Sequence, residues 1–459
     1  MLEIKIPNIC QNEQLYVINI LLKEFLGIDF KVEVYEGNNI EITKIDNFSK
    51  LILNASFFYK PMQGWLQHQS MPVLPLEIWV PENDGIKANL TDPRIPILYG
   101  SPGLVKKNNH LHLNLDIFGS AFFMLTRYEE LVIKDRDQHD RFSAYSSHAY
   151  KNGYLNRPLV DEYVEILKKC LTVLWPDLKF KEREFSINVS HDVDQLSRYQ
   201  TRKNLYQYLR SLGGDLMKGF IKDLIYSPLS YFNKNIELNA HDPYNTFDWL
   251  MDTSESNNIK STFNFICGKS SNYNADYDIE DIKIKNLIKK INDRGHFIGI
   301  HPSYDCYLNP ELIKKELNQL KNTFEYLNIK QKEITSRMHY LRWKTTDTLV
   351  NLNNSGIKRD TTLGYADHTG FRCGTCHSYQ GYDLINHEKL DIIIEPLIIM
   401  DVTLFSKKYM NLYYKSAFNH ATDLKKKCKK MNGHFNILWH NSFFQDSQQK
   451  EFYQNLIKN

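Results

Sequence analysis

The sequence predicts a two-domain α/β protein whose second domain is built around a parallel β-sheet or a β/α barrel. The chain has 459 residues, which is more than one ordinary hydrophobic core accommodates. From about residue 185 onward, short apolar runs of strand length alternate with amphipathic helical patterns. Polar side chains that can carry chemistry follow one predicted strand after another in this part. In parallel α/β folds such side chains meet at the carboxyl ends of the strands.

The composition is that of a folded protein with a nearly balanced charge. Hydrophobic residues make up 42% and charged residues 24%, and 57 Lys and Arg residues face 54 Asp and Glu residues. This balance argues against a protein that coats nucleic acid or an anionic membrane. No run of about 18 apolar residues predicts a membrane-spanning helix. The seven cysteines do not suggest a disulfide framework and the N-terminus does not resemble a secretion signal, so we expect a cytoplasmic protein.

Residues 1–180 predict a smaller α+β domain. Short apolar runs alternate with turn residues, and a helical pattern then extends from Leu111 to Leu131. A further helix is predicted over Leu159–Leu174, since Pro176 cannot continue it. The short charged segment Lys179–Glu184 precedes the next strand. We therefore place the domain boundary in that segment.

Residues 185–459 form the second predicted domain, in which strands alternate with helices. A partly helical insertion occupies about 195–245. Asn309 and Pro310 mark a helix start, because asparagine caps helices and proline is tolerated in the first turn. The predicted elements are, in order, strand Phe185–Ser190, strand Thr262–Cys267, a helix around Ile284–Ile291, strand His296–His301, a helix from Pro310, strands Ile334–Tyr340 and Ile392–Met400, a helix near Ser416–Lys430 and strand Phe435–His440.

Two carboxylates stand at the end of the first of these strands. Asp192 and Asp194 are two positions apart, so both point the same way if the strand stays extended. Uncompensated carboxylates at such a place would repel each other. A divalent cation beside one of them removes the repulsion and leaves the other free to act as a base.

Other strand ends supply further polar groups. His301 and Asp305 are four residues apart and could meet one metal from a turn or the start of a helix, and an imidazole with carboxylates suits zinc. Arg337 could pair with a catalytic carboxylate, and His440 follows the last strand. Each of these residues alone is more easily explained as a cap, a turn or a core histidine. Together, on separate strand ends, they predict a site.

These motifs, in this order, resemble those of the polysaccharide deacetylase superfamily, carbohydrate esterase family 4. The resemblance covers residues 185–459 and implies a distorted (β/α) barrel that removes N- or O-acetyl groups from sugars with the help of a metal. The N-terminal part resembles a domain that precedes the deacetylase in a bacterial subgroup with surface-polysaccharide connections, and no function follows for it. The segments that carry the resemblance are Ser190–Asp194, the segment at His301, Arg337–Tyr340, Ile437–His440, Asp360–His368, Gly370–Thr375, Glu395–Leu397, Arg127–Glu130 and Asn156–Pro158.

The resemblance also implies a role for each matching residue. Asp305 stands where the family usually has a second histidine, which would make the site harder and more anionic. His339 stands where the family usually has proline. The implied roles are Asp192 as general base, Asp194, His301 and Asp305 as metal ligands, Arg337 as the partner of Asp192, His440 as catalytic acid, Asp401 as the group that orients His440, and Tyr340, Tyr304, Trp439 and His339 as substrate contacts.

The sequence-based expectation is therefore a metal-dependent hydrolase that removes an acetyl group from an N-acetylated sugar, either a surface polysaccharide or its precursor. Zinc is the expected metal, with Mn²⁺, Co²⁺ and Ni²⁺ as alternatives. Two other functions stay open. The chain could be a sugar-binding protein that has kept the barrel but lost tight metal binding, a reading to which Asp305 gives weight. It could also hydrolyse a non-sugar amide or ester.

Overall fold

The computed structural model of the chain describes residues 1–59, 64–202, 204–217, 221–233, 237–269, 271, 273, 275–444 and 446–458. Its strands fall into two main sheets, one formed by residues before 116 and one by residues after 185. A single cluster of buried hydrophobic side chains extends through both parts. None of the helices in these ranges is both long and apolar enough to cross a membrane.

The first sheet has six strands in the order β2-β1-β3-β4-β8-β7. The β1–β2 and β4–β8 pairs are parallel and the other pairs are antiparallel. Alternate residues of β1, such as Leu2, Ile4 and Ile6, are buried, as expected for a sheet that covers a core on one face. The strands before residue 116 are β1 Leu2–Pro7, β2 Phe30–Tyr35, β3 Asn39–Lys44, β4 Lys50–Asn54, β5 Glu77–Trp79, β6 Ile95–Ile97, β7 Gly100–Lys107 and β8 His110–Leu115, of which β5 and β6 pair separately.

In the described residues before 185, six α-helices accompany the first sheet. The predicted helix over Leu159–Leu174 is confirmed with those bounds. The helical prediction from Leu111 to Leu131 is wrong at its start, because Leu111, Leu113 and Leu115 are buried at every second position and form strand β8. The helices are α1 Gln11–Ile18, α2 Ser56–Tyr59, α3 Ile117–Leu125, α4 Glu129–Val132, α5 His148–Lys151 and α6 Leu159–Leu174.

The second sheet has nine strands in the order β14-β15-β13-β12-β11-β10-β9-β17-β16. All neighbours in it are parallel except β14 and β15. The predicted parallel sheet is therefore confirmed. The strands are β9 Ser186–Val193, β10 Thr262–Phe265, β11 Phe297–Ile300, β12 Thr335–Ser336, β13 Arg359–Asp360, β14 Tyr379–Asp383, β15 Glu388–Ile394, β16 Ile399–Met400 and β17 His434–Leu438.

One segment joins the two ends of this strand order. The predicted strand Ile392–Met400 divides into two strands at Pro396. Before the division, the N–H of Glu395 donates to the carbonyl oxygen of Asp360 in β13. After it, the N–H of Ile398 donates to the carbonyl oxygen of Asn436 in β17. The sheet consequently curls, and its ends approach each other. Within the described ranges β14 and β16 do not pair, so no continuous hydrogen-bonded ladder closes a barrel.

The helices after residue 185 follow the predicted alternation. Asn309 caps α11 by accepting a hydrogen bond from the N–H of Leu312, as its sequence predicts. The insertion at about 195–245 contributes α7 and α8 in its described residues. The helices are α7 Leu205–Met217, α8 Ile221–Tyr231, α9 Phe247–Glu255, α10 Ile282–Asp293, α11 Pro310–Leu327, α12 Asp347–Asn354, α13 Asp401–Phe405, α14 Tyr414–Lys430 and α15 Ser447–Ile457.

A buried ionic network joins the two parts of the chain. Glu130 accepts hydrogen bonds from Nε of Arg127 at 2.9 Å, from Nε and Nη2 of Arg372 at 2.9 and 2.8 Å, and from the hydroxyl of Thr345 at 2.8 Å. Burial would raise the pKa of Glu130, but the charges of Arg372 and Arg127 lower it to about 2. The carboxylate is thus ionised and fully partnered in the interior, which a buried charge requires.

We expect Arg372→Met to lower the free energy of unfolding by about 3–5 kcal/mol, because it leaves the buried Glu130 with an incomplete set of partners. Lys289→Met, which removes an exposed ion pair with Asp293, should change it by less than about 1 kcal/mol. Urea unfolding followed by circular dichroism measures both effects. Equal stability of the two variants would contradict a structural role for the network.

Candidate functional site

A pocket opens where the carboxyl ends of β9, β11 and β17 meet, the edge at which the sequence predicts chemistry. Its cavity has a volume of about 240 Å³. One side is polar and contains carboxylates and imidazoles, and the other side is largely apolar. The lining residues are Arg141, Asp192, Asp194, His301, His339, Tyr340, Leu341, Met400, Val402, Tyr409, Leu438 and His440.

Three of these residues form a group that could hold a metal ion: Asp194, His301 and His339. Asp194 Oδ1 lies 3.3 Å from Nε2 of His301 and 3.5 Å from Nε2 of His339. In a tetrahedral site with metal–ligand distances of about 2.0–2.1 Å, neighbouring donor atoms lie about 3.3–3.4 Å apart. The spacing of the two nitrogens from the carboxylate oxygen therefore suits a tetrahedral cation.

The hydrogen bonds of this group leave its metal-ligating atoms available to a cation. The Nδ1 of His301 donates to the carbonyl oxygen of Arg337, so its Nε2 faces Asp192 at 3.6 Å and Asp194 at 3.3 Å. Among the described residues, the buried Oδ1 of Asp194 has no hydrogen-bond partner of acceptable geometry. A divalent cation would accept the lone pairs of these nitrogen and oxygen atoms and balance the negative charge of the carboxylates. The donor set therefore fits a metal.

The protonation states agree with that fit. Burial would raise the pKa of Asp194, but its interactions with the surrounding imidazoles of His339, His301 and His440 lower it well below its usual value. Burial lowers the pKa of His339 to about 4, which keeps it in the neutral form that ligates metals. Burial also acts to lower the pKa of His301, but Asp192 and Asp194 outweigh it and raise that pKa, so this point of the pocket attracts positive charge.

Asp192 lies next to the metal group and has its own partners. Its Oδ1 accepts a hydrogen bond of 2.7 Å from Nδ2 of Asn264, the residue opposite it on the neighbouring strand β10. Arg337 lies at a longer distance, 3.8 Å from Nε to the same oxygen, and its Nη2 donates to Ser190 at 2.8 Å. Gly299 leaves the space that the Asn264 amide occupies, since a Cβ there would lie 2.0 Å from the Asn264 oxygen.

His440 and Asp401 form a pair beside the metal group. The Nδ1 of His440 lies 2.8 Å from Asp401 Oδ1, and the N–H of His440 donates to Asp401 Oδ2 at 2.7 Å. Burial would lower the pKa of His440, but Asp401 outweighs it and raises the pKa to about 10. The Nε2 then faces the pocket, 3.6 Å from Asp194. The geometry that the predicted orienting role of Asp401 requires is present.

The structure corrects the assignment of Asp305 as a metal ligand. The Asp305 side chain is 48% exposed and its carboxylate lies 3.6 Å from Arg342. The prediction needed a turn or the start of a helix that brings Asp305 back to His301, but the N–H and hydroxyl of Ser303 donate to Glu316 and the Asp305 carboxylate lies beside Arg342. His339, assigned from sequence as a substrate contact, takes the third position in the metal group instead.

One of the predicted substrate contacts is buried away from the pocket, and two others lie in it or beside it. Trp439 is wrong: it is fully buried among Phe443, Phe452 and Tyr453, because its neighbours in sequence, Leu438 and His440, already face the pocket. Tyr340 lines the pocket. The ring of Tyr304 packs 5.4 Å from that of Tyr340, so it lies at the rim rather than in the pocket.

The turn that carries Tyr340 has an unusual backbone. Tyr340 and Leu341 both have positive φ, 62° and 52°, a conformation that costs non-glycine residues about 1–2 kcal/mol each. Leu341 packs with Met400, Val402 and Leu438 to form the apolar side of the pocket. Surrounding contacts must therefore hold this turn in place.

Sequence reasoning missed several residues of the site, among them Asn264 and Arg141. Asn264 had a detectable signal, since it is a polar residue between two phenylalanines of a buried strand. Arg141 had none, because it comes from the first part of the chain and reaches the pocket only through tertiary folding. Its Nη1 donates to the carbonyl oxygen of Tyr340 at 2.9 Å and its Nη2 to the hydroxyl of Tyr409 at 3.1 Å.

A second group with metal-ligand chemistry is explained by its own hydrogen bonds. Asp161, Cys376 and His377 lie close together and are buried. Asp161 already accepts hydrogen bonds from the hydroxyl of Thr375 at 2.6 Å, the N–H of Cys376 at 2.9 Å and the thiol of Cys376 at 3.2 Å. These contacts attach the start of α6 to the loop around Cys376, which is a structural role.

Comparisons with known proteins find a family model that matches the first part of the chain and distant structural likenesses over about 60% of it. Residues 2–176 match a family of unknown function, DUF7033. The chain is similar to a crystal structure from Mycobacterium smegmatis described as a polysaccharide deacetylase (14% identity, TM-score 0.37, 62% of this chain and 84% of the other). It is also similar to a polysaccharide deacetylase from Bacillus cereus (11% identity, TM-score 0.30, 60% of this chain and 86% of the other). No curated protein matches it. An activity must therefore be argued from the site itself.

The two candidate third ligands can be separated by metal binding. We expect His339→Ala to lower the affinity for zinc by at least about 100-fold, since one of three protein donors is lost. Asp305→Ala, which removes an exposed carboxylate outside the group, should leave the affinity within about threefold. Isothermal titration of the metal-free proteins measures both. The reverse order of effects would restore the sequence-based assignment.

Proposed function

We propose that this chain is a metal-dependent hydrolase that removes the acetyl group from an N-acetylated sugar. One observation carries the proposal. A single pocket contains a group suited to a cation, a separate carboxylate at Asp192, and an imidazole at His440 whose second nitrogen is held by Asp401. Hydrolysis of an amide needs these three functions together: activation of water, removal of its proton, and protonation of the leaving amine.

Asp194, His301 and His339 would hold the metal. Bound there, a divalent cation would make water more acidic and stabilise the negative charge that develops on the acyl oxygen. Two imidazoles and one carboxylate suit zinc, with Mn²⁺, Co²⁺ and Ni²⁺ as alternatives. The protein ligands number three, which is typical of catalytic rather than structural zinc sites.

Asp192 acts as the general base. Its Oδ1 is occupied by the Asn264 amide, and its Oδ2 is the atom that faces His301. The side chain is buried yet lines the pocket, so a water beside the metal group lies within its reach. A proton accepted by Asp192 leaves the water as a nucleophile for the acyl carbon.

His440 acts as the general acid. Asp401 accepts the hydrogen bond of Nδ1, which fixes the ring and favours its protonated form. The proton on Nε2 then faces the pocket and can pass to the departing nitrogen, which is otherwise a poor leaving group. Proton transfer of this kind typically contributes about 10²–10⁴ in rate.

The shape of the pocket supports an acetylated sugar as substrate. A cavity of about 240 Å³ is smaller than pockets that enclose a whole drug-sized ligand, about 300–1,000 Å³, so we infer that it receives the acyl end of the substrate. The apolar side formed by Leu341, Met400 and Leu438 suits a methyl group. At the rim, Tyr273 packs against Tyr304 with ring centroids 4.5 Å apart, and its exposed ring offers an aromatic surface to a sugar.

The alternative of a sugar-binding protein without catalysis loses its main support. That alternative rested on Asp305 as a weak third ligand, but His339 completes the group and Asp305 lies outside it. Hydrolysis of a non-sugar amide or ester would use the same groups. Assays with such substrates distinguish it from deacetylation of a sugar.

With zinc-loaded protein and N-acetylated oligosaccharides, we expect release of acetate. Asp192→Asn and His440→Ala should each lower kcat by about 10²–10⁴, because each removes one proton transfer. Asp305→Asn is the matched control and should keep kcat near that of the unchanged protein. A coupled enzymatic assay for acetate measures all four proteins.

Two results would count against the proposal. Acetate release that is unaffected by both substitutions would place the chemistry elsewhere. Absence of acetate release with every added cation would refute deacetylation, and a screen of non-sugar amides and esters would then test the alternative hydrolase.

A further inference from the structure

We propose that Arg141 is a positioning residue that fixes the Tyr340–Leu341 turn, and that residues 137–144 are therefore a working part of the catalytic pocket. The inference rests on the proposed function for its kinetic consequences but not for its structural content. It assigns a role to part of the region that matches a family of unknown function.

Arg141 is the pocket residue that comes from before residue 185, and its guanidinium contacts three acceptors at once. It donates to the carbonyl oxygen of Tyr340, to the hydroxyl of Tyr409 and to the carboxylate of Asp137, the last at 2.8 Å from Nε and 2.7 Å from Nη2. The residue is only 7% exposed. A planar fork of fixed donors can serve three acceptors in this way, whereas the ammonium of lysine cannot.

The Arg141 side chain is itself held rigidly. Asp137 Oδ1 accepts hydrogen bonds from the N–H groups of His139 at 2.8 Å and Arg141 at 3.0 Å, while its Oδ2 binds the guanidinium. Burial would raise the pKa of Asp137, but the hydrogen bonds and charge of Arg141 lower it. The Asp137 carboxylate therefore stays ionised. Its hydrogen bonds hold residues 137–141 in one conformation, in which the Arg141 guanidinium faces the pocket.

The rest of the loop docks on the second part of the chain without entering the pocket. Nε of Arg342 donates to the carbonyl oxygen of His139 at 2.9 Å, the hydroxyl of Tyr307 donates to Asp140 at 2.8 Å, and Asp367 accepts from the N–H of Ala144 at 3.1 Å. These contacts seat the loop. Through its hydrogen bond to Tyr340, Arg141 connects the fixed loop to the pocket.

What Arg141 holds is the strained turn. Tyr340 and Leu341 both have positive φ, and the flanking residues His339 and Leu341 are a metal-group residue and part of the apolar side. A shift of this turn would move both sides of the pocket together. The contact between Arg141 and the Tyr340 carbonyl oxygen therefore fixes the position of His339 relative to the apolar side of the pocket.

The test uses Arg141→Ala, Arg141→Lys and Asp137→Asn in the full chain, with Tyr307→Phe as the matched control that removes one docking hydrogen bond of the same loop. We expect Arg141→Ala to lower kcat for acetate release by about 10²-fold, the effect of misplacing reacting groups by about 1 Å. Arg141→Lys should recover only part of the loss, and Asp137→Asn should act in the same direction. Tyr307→Phe should leave kcat unchanged.

Two further readouts separate positioning from general stability. Ethylguanidinium should restore activity to Arg141→Ala, while ethylammonium at the same concentration should not. Hydrogen–deuterium exchange should show faster exchange of the backbone amides of residues 338–342 in Arg141→Ala and Asp137→Asn but not in Tyr307→Phe. The exchange experiment needs no substrate, so it decides on Arg141 even if the unchanged protein releases no acetate and the proposed function fails. Unchanged exchange in both variants, or equal kinetic losses in Tyr307→Phe and Arg141→Ala, would overturn the proposal.

Discussion

The site depends on a partly buried carboxylate, that of Asp194, whose buried oxygen faces imidazole nitrogens. The Oδ1 of Asp194 lies 3.3 and 3.5 Å from the Nε2 atoms of His301 and His339, with Asp192 close by. Such an arrangement is costly without a compensating positive charge, because burial removes the solvation of the carboxylate. It persists because β9, β11 and the turn at His339 hold the three donors in fixed positions on separate strand ends. The cation-binding geometry is thus a property of the whole sheet.

Some of these positions follow from local sequence and some do not. The strand carrying Asp192 and Asp194, helix α6 and the cap at Asn309 could be predicted, because each depends on periodicity or on hydrogen bonds within a few residues. The place of Asp305 could not, since it depends on the path of the chain after His301, where Ser303 binds the distant Glu316 and Asp305 lies beside Arg342. Trp439 failed for a simpler reason: adjacent residues of an extended chain face opposite sides.

The two parts of the chain act together at the site, although the sequence suggests two separate domains. A buried network around Glu130 joins them through Arg127 and Arg372. The loop that carries Arg141 then reaches the pocket beside Tyr340. No local sequence pattern predicts such contacts, because each depends on a partner about 200 residues or more away in sequence. Membership of a protein region in a functional site is a tertiary property, and only the assembled structure reveals it.

The proposed roles of His440 and His301 differ because the second nitrogens of the two rings have different partners. The Nδ1 of His440 meets the carboxylate of Asp401, which favours a proton on the ring and suits an acid. The Nδ1 of His301 donates to a carbonyl oxygen, which leaves Nε2 as a donor atom for a metal. Burial keeps His339 neutral, and its Nε2 also faces Asp194. The same logic separates the two carboxylates: Asp194 faces imidazoles, whereas Asp192 is held by the amide of Asn264. Chemically similar residues thus differ in the atoms that lie behind them, and the proposed assignment of base, acid and ligands rests on those contacts.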